Sequence, residues 1–146
     1  MEKTITLKLK DVFFLHDMTE NLVKAATEED LIKKIKFFEG TKAIKEEKKA
    51  VRTLVGEEQV KMIEKIQEED RSFVLDVEVV DWLKTKWKTV PAEYKLNNVK
   101  TGEVVQVGFA GEEECQAYYN VKVALEDARV VKEKEEEKKE KEVAKK

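Results

Sequence analysis

The chain reads as a helix-rich α+β single domain with an N-terminal strand, a β-hairpin near 94–109 and a C-terminal helix. Three observations predict that class. Residues 4–10 alternate strictly between polar and apolar, the segments after them carry apolar residues at helical spacing between capping and glycine signals, and a compact turn surrounds Gly102. With 146 residues, the length suits one compact domain over 1–131, followed by a charged tail over 132–146.

In the opening segment Ile5, Leu7 and Leu9 share one side, which predicts a half-buried strand. Asp11 is placed to cap a helix over 11–26, with Phe14, Leu15, Met18, Leu22 and Ala25 at helical spacing. Thr27 to Asp30 resemble a capping box that restarts the helix, and Leu31, Ile35 and Phe38 are its expected buried stripe. Gly40 is expected to stop this helix and Thr41 to cap the next. That helix, 42–55, shows Ala43, Ile44, Ala50, Val51, Leu54 and Val55 on one face. Another, 57–70, opens with Glu57 and Glu58 at its positive end and carries Val60, Ile63 and Ile66.

Residues 72–88 fit either periodicity. Sliding the sequence by 68 positions lays Leu7 over Leu75, Val12 over Val80 and Leu15 over Leu83, with Phe14 over Trp82. The coincidence predicts a strand 73–77 running into a helix 79–88, as 4–10 runs into 11–26; chance likeness between amphipathic segments is the other account of it. Pro91 is expected to break the chain. Tyr94–Val99 and Val104–Phe109 then form the hairpin, with Gly102 in the left-handed position of a turn over 100–103. From Glu112 a last helix carries Ala117, Val121, Ala124, Leu125 and Ala128, although residues 119–125 also alternate as a strand would. From Lys132 onward the chain is Lys and Glu with Val143 and Ala144, too polar to build a core, and reads as a frayed helix or disordered extension.

Chemistry-bearing residues are scarce. The chain has one histidine, His16, and one cysteine, Cys115, which is too few for a Cys/His zinc site and leaves a catalytic triad only His16 as its base. His16 is expected to be an ordinary surface or boundary residue, and Cys115 a small helix-packing one. The glycines fall at helix ends and turns and form no phosphate-binding loop. These absences predict a non-enzymatic protein with no cofactor and no metal site. No secretory signal and no span of about 18 apolar residues is visible, and an intramolecular disulfide is impossible with a single cysteine, so the cytoplasm is the expected compartment.

Net charge is −3, which argues against a general affinity for nucleic acid or membrane. The local balance differs. Residues 82–100 hold lysines 84, 86, 88, 95 and 100 against the single acid Glu93. Both tryptophans lie in the same stretch. Trp82, Lys84, Lys86, Trp87, Lys88 and Tyr94 are therefore the candidate partner-binding residues, since aromatic anchors concentrate interface energy and cations steer an acidic partner. Alternating lysines and aromatics also suit a single-stranded nucleic acid, whose bases stack on rings. A third arrangement puts both tryptophans in the core with the lysines solvating the back.

The expected function is protein interaction: a module that docks on a larger protein, one with an acidic surface. Nucleic-acid binding and self-assembly into a homo-oligomer are the alternatives. In length, strand-into-helix opening and lack of catalytic machinery the chain resembles small accessory proteins of bacteriophages, a likeness of style that transfers no residues; the expected module is a virus-encoded accessory or inhibitor.

Overall fold

The structure, a computed structural model, describes residues 1–130. It is a helix-rich α+β single domain. Strand β1 (Glu2–Lys8) is followed by α1 (Leu9–Asn21), α2 (Glu28–Gly40), α3 (Lys42–Thr53) and α4 (Glu57–Glu68). Strand β2 (Asp70–Asp76) then leads into α5 (Val77–Trp87), the short α6 (Val90–Glu93), the hairpin β3 (Lys95–Asn97) and β4 (Val104–Val107), α7 (Glu112–Asp127) and β5 (Arg129–Val130). The Lys/Glu tail expected at 132–146 lies outside the described residues.

The 68-residue offset marks a local internal symmetry, confined to one strand and the helix after it. β1 and β2 are both seven residues long and start 68 positions apart, and each is followed directly by a helix. They pair antiparallel with Ile5 opposite Phe73, its own counterpart in the repeat. The bonds that close the two ends correspond as well: Leu9 N donates to Glu69 O at 2.8 Å and Val77 N to Met1 O at 3.0 Å. A pseudo-twofold axis therefore passes through the Ile5–Phe73 pair. Closing those bonds also moves the helix starts forward. Helix α1 begins at Leu9, so Asp11 does not cap it; Asp11 is buried inside the helix and accepts from Asn120 Nδ2 of α7 at 3.2 Å. Burial pushes the Asp11 carboxyl pKa up, and the Asn120 bond partly offsets that.

The sheet order is β2-β1-β5. Its inner face carries Ile5, Leu7 and Leu75 into a core shared with Leu9, Val12, Leu15, Val79, Val80, Leu83, Val121 and Leu125. Its outer face shows Thr6 and Ser72, whose hydroxyls lie 2.7 Å apart. Helix α7 packs on β1 and on both α1 and α5, which removes the strand alternative for 119–125. Strand β5, two residues pairing with Lys3 and Thr4, was not foreseen; so short a strand has no periodicity to read.

Helix α2 turns a different face inward from the one its apolar spacing predicts. Thr27 caps it as expected, its hydroxyl accepting from Asp30 N at 3.1 Å. Leu31 and Ile35 are 51% and 56% exposed, however, and Phe37 is the buried aromatic. The cause is polar. Asp30 bonds α5, Lys33 reaches Glu78 at 2.8 Å, and Gly40 lies so close to β2 that a Cβ there would sit 2.7 Å from Leu75 Cδ2. Positions 30, 33, 37 and 40 are one helical face, and these contacts hold it against α5 and β2. Gly40 is thus a close-approach residue and the last of α2. Thr41 caps backwards, its hydroxyl donating to Phe37 O at 2.8 Å, and makes no side-chain cap for α3.

Helices α3 and α4 depart in the same sense. Ile44 and Lys48 are the buried residues of α3, while Ala43, Ala50 and Val55 are exposed. Ile66 is the buried residue of α4, with Val60 and Ile63 exposed. Pro91, expected to break the chain, instead sits in the first turn of the one-turn α6 (Val90–Glu93), where its missing N–H costs nothing. The hairpin is shorter than its apolar run: a six-residue loop, Asn98–Glu103, joins the strands. Asn98 Oδ1 accepts from Lys100 N and Thr101 N, and Gly102 takes φ 73° as expected.

Candidate functional site

The candidate residues lie mostly on α5, and a helix sorts neighbours in sequence onto different faces at about 3.6 residues per turn. Trp82 and Lys86 face α2. Trp82 Nε1 donates to Asp30 Oδ1 at 2.9 Å, and Lys86 Nζ to Asp30 Oδ2 at 3.2 Å. The Trp82 bond, with Lys86 beside it, holds the Asp30 carboxyl pKa below the ordinary value.

Trp87 faces inward. It is 1% exposed, among the largest fully buried side chains, so it is not the surface anchor its composition suggested. Its Nε1 donates to Tyr118 O at 3.1 Å, and Tyr118 OH returns a bond to Trp87 O at 3.0 Å. The two rings stack at 5.3 Å and 10°. Phe14 meets Trp87 edge-on at 6.0 Å. Burial pushes the Tyr118 phenol pKa up, keeping it a donor. These reciprocal bonds clamp α5 to α7.

Lys84 and Lys88 lie on the third side, where a cleft of about 110 Å³ opens between α5 and α7. Trp87 and Leu125 supply its apolar floor, and Lys84, Lys88, Lys122 and Glu126 its rim. Lys84 has Asp81 at 3.9 Å. Among the described residues, no carboxylate lies within the 4.0 Å ion-pair distance of Lys88 or Lys122. Tyr94 belongs elsewhere. Its ring meets Phe109 at 4.8 Å and its carbonyl accepts from Gly108 N at 2.8 Å, which makes it the root of the hairpin.

The structure thus brings Lys84 and Lys88 together, adds Lys122, buries Trp87 beneath them, and separates Trp82, Lys86 and Tyr94 from them. Nothing in the sequence ties Lys122 to α5. Its apolar neighbours Val121 and Leu125 mark the buried side of α7, and no local pattern tells which helix that side meets.

A second cluster was missed. His16 is buried at 2% exposure, not a boundary residue. Lys48 of α3 is buried beside it, with Nζ 3.2 Å from His16 Nδ1 and ion-paired to Asp17. Glu20 stands 3.8 Å from His16. His16, Asp17 and Glu20 have the spacing of metal ligands, but the Lys48 ammonium already bonds to two of them. Burial, and then Lys48, lower the His16 pKa, so the ring is neutral and accepts at Nδ1. The proton then sits on Nε2, which is buried without a partner among the described residues. The cluster pins α3 to α1. Cys115 is free and exposed on α7, its Sγ 3.6 Å from Phe109 O, and is not a packing residue. Among the described residues, no helix is long and apolar enough to cross a membrane.

Fold and site together describe an α+β domain carrying a lysine-rimmed cleft on a clamped helix pair. The chain matches no known protein family, no curated protein and no solved structure.

Proposed function

We propose that this protein is a non-enzymatic, cytoplasmic interaction module that docks on a larger protein through an acidic patch of that partner, in the manner of a virus-encoded accessory or inhibitor protein. The observation that carries this reading is the convergence of Lys84, Lys88 and Lys122 on one cleft. Lys33, Lys48, Arg71 and Lys86 are each bound to a carboxylate of the fold. Lys88 and Lys122, beside Lys84, flank one cleft with no such partner among the described residues. Uncommitted charges on a rigid frame favour fast, oriented encounter with an opposite surface. Nucleic acid is less well served, because base stacking needs open rings and Trp87 is in the core.

Chromatography of the pure protein on immobilised polyglutamate and on single-stranded DNA tests the reading. Retention on polyglutamate should exceed retention on DNA at equal salt, and should fall when Lys84, Lys88 and Lys122 are all changed to Gln. A triple variant that elutes with the parent would sink it.

A second reading, self-association, has its own observation. The hairpin leaves Leu96, Val104, Val105 and Val107 exposed, and isolated two-stranded ribbons are marginal in water. Sedimentation velocity over a wide concentration range tests it; a constant monomer mass would exclude it.

A further inference from the structure

We infer that the cleft between α5 and α7 seats one apolar side chain from an acidic, extended segment of the partner. This inference rests on the docking reading above and names what enters the cleft. The cleft's size sets the first limit on its occupant. Small-molecule and cofactor sites occupy roughly 300–1,000 Å³, and an apolar cavity of about 150 Å³ holds a benzene. At about 110 Å³ the cleft has room for a single side chain and nothing larger. Trp87 and Leu125 close its base at 1% exposure each, so the apolar surface open to an entering side chain is that of the lysine stems above them, which suits an aliphatic or small aromatic group.

The rim supplies the second half. Lys84 and Lys88 stand one turn apart on α5, and Lys122 and Glu126 one turn apart on α7. Three ammonium groups face Glu126 on the rim and Asp81 beside Lys84, which leaves the rim net positive. A side chain entering from a neutral strand would leave that charge uncompensated, whereas carboxylates on both sides of it would meet the lysines as the anchor seats. The walls are already set. Trp87 and Tyr118 exchange two hydrogen bonds across the α5–α7 contact, so little ordering remains for binding to do.

Fluorescence anisotropy with the full-length protein reads this directly. The probe is a fluorescein-labelled decapeptide carrying one leucine flanked on each side by two glutamates. The controls are the same peptide with serine for the leucine, the same peptide with serine for the glutamates, and a labelled polythymidine. Burying one leucine side chain predicts that the probe binds roughly tenfold or more tighter than the serine-for-leucine control. Binding should weaken with salt. It should be lost in the Lys84→Glu, Lys88→Glu, Lys122→Glu triple variant and weakened in the corresponding Gln variant, with thermal melts confirming that both remain folded.

Equal binding of the leucine and serine peptides would overturn the anchor and leave acidic docking standing. Absence of binding by every acidic peptide would overturn the anchor and the docking reading together. Polythymidine binding as tight as the probe, and equally lost in the triple variant, would transfer the site to nucleic acid. Residues 131–146 of this chain contain six glutamates and two valines, and so have the required chemistry themselves. If changing those glutamates to Gln strengthens probe binding, the occupant is the chain's own terminus and the assignment to a partner falls.

Discussion

The two flanks of α5 use the same residue type in opposite ways. Toward α2, Lys86 and Trp82 converge on one carboxylate, Asp30, and their polar atoms are consumed within the fold. Toward α7, Lys84 and Lys88 border a cleft, Lys84 with only Asp81 of its own helix at 3.9 Å and Lys88 with no carboxylate in ion-pair range among the described residues. A lysine is therefore informative about partners only after the fold has taken its share, and composition cannot do that subtraction. The helical repeat does it. Trp82 and Lys86 are four residues apart, as are Lys84 and Lys88, and as are the buried Leu83 and Trp87. One sequence run becomes three faces with three tasks.

That division is open to attack by mutation, the sharpest blow falling on the buried face. Trp87→Ala should cost about 3–5 kcal/mol in denaturant unfolding, as large-to-small changes in a packed core do, because it also orphans the Tyr118 carbonyl and removes the clamp beneath the cleft. Loss of less than about 1 kcal/mol, in the range of ordinary surface changes, would mean that the α5–α7 contact is not the rigid wall described here.

The α2 flank should give next. At Gly40→Ala the new methyl would meet Leu75, itself buried, with Val74 O behind it at 3.6 Å. Overpacking of that kind costs about 1–3 kcal/mol and should outweigh the gain of about 1 kcal/mol in helix propensity from replacing glycine. A raised melting temperature would show that α2 stands off from β2.

Two pH tests follow, smaller and directional. His16 has a folded pKa below its ordinary 6.5, so its neutral form stabilises the fold above pH 6.5. That contribution is lost as pH falls from 6.5 through the lower folded value, since the unfolded chain takes up the proton first. Denaturant midpoints measured down this range should fall in the parent and fall less in His16→Gln. Asp30 also has a depressed pKa, and its contribution is present above the ordinary 3.8 and lost as pH falls through its folded value. Parent and Asp30→Asn should therefore differ at neutral pH and converge in acid. A constant difference would show that the Asp30 charge contributes nothing to the Trp82 and Lys86 contacts.

The smallest effect belongs to the cleft. Lys84→Gln with Lys88→Gln should leave stability within about 0.5 kcal/mol, since the one pair lost, Lys84 with Asp81, is a loose surface contact. A larger loss would show that these lysines serve the fold after all.

Much of the element order was legible where a start or turn carries a local signal. Thr27 capped where a capping box placed it, Gly102 took positive φ, and the 68-residue offset located the second strand and its helix. Sidedness was harder. Apolar spacing offered α2 a stripe through Leu31 and Ile35, while its real docking runs through Asp30, Lys33 and Gly40, residues that propensity assigns to the surface or to a stop. The buried pair of His16 and Lys48 was invisible for the same reason: each looks solvated until the other is placed beside it. Half of the cleft could be read from Lys84 and Lys88, and the remainder waits on α7, which local sequence does not join to α5.

The pairing of β1 with its own repeat also bears on how the chain is made. β1 leaves the ribosome first, and its partner β2 begins 68 residues later. At synthesis rates of about 5–20 residues per second, that interval lasts roughly 3–14 s. Throughout it β1 lacks β2, and its apolar side, Ile5 and Leu7, lacks the Leu75 that will later join it in the core. Helices α1 to α4 are all complete before β2 arrives. Closure of the sheet therefore waits on translation of the second strand, however early the helices between them form.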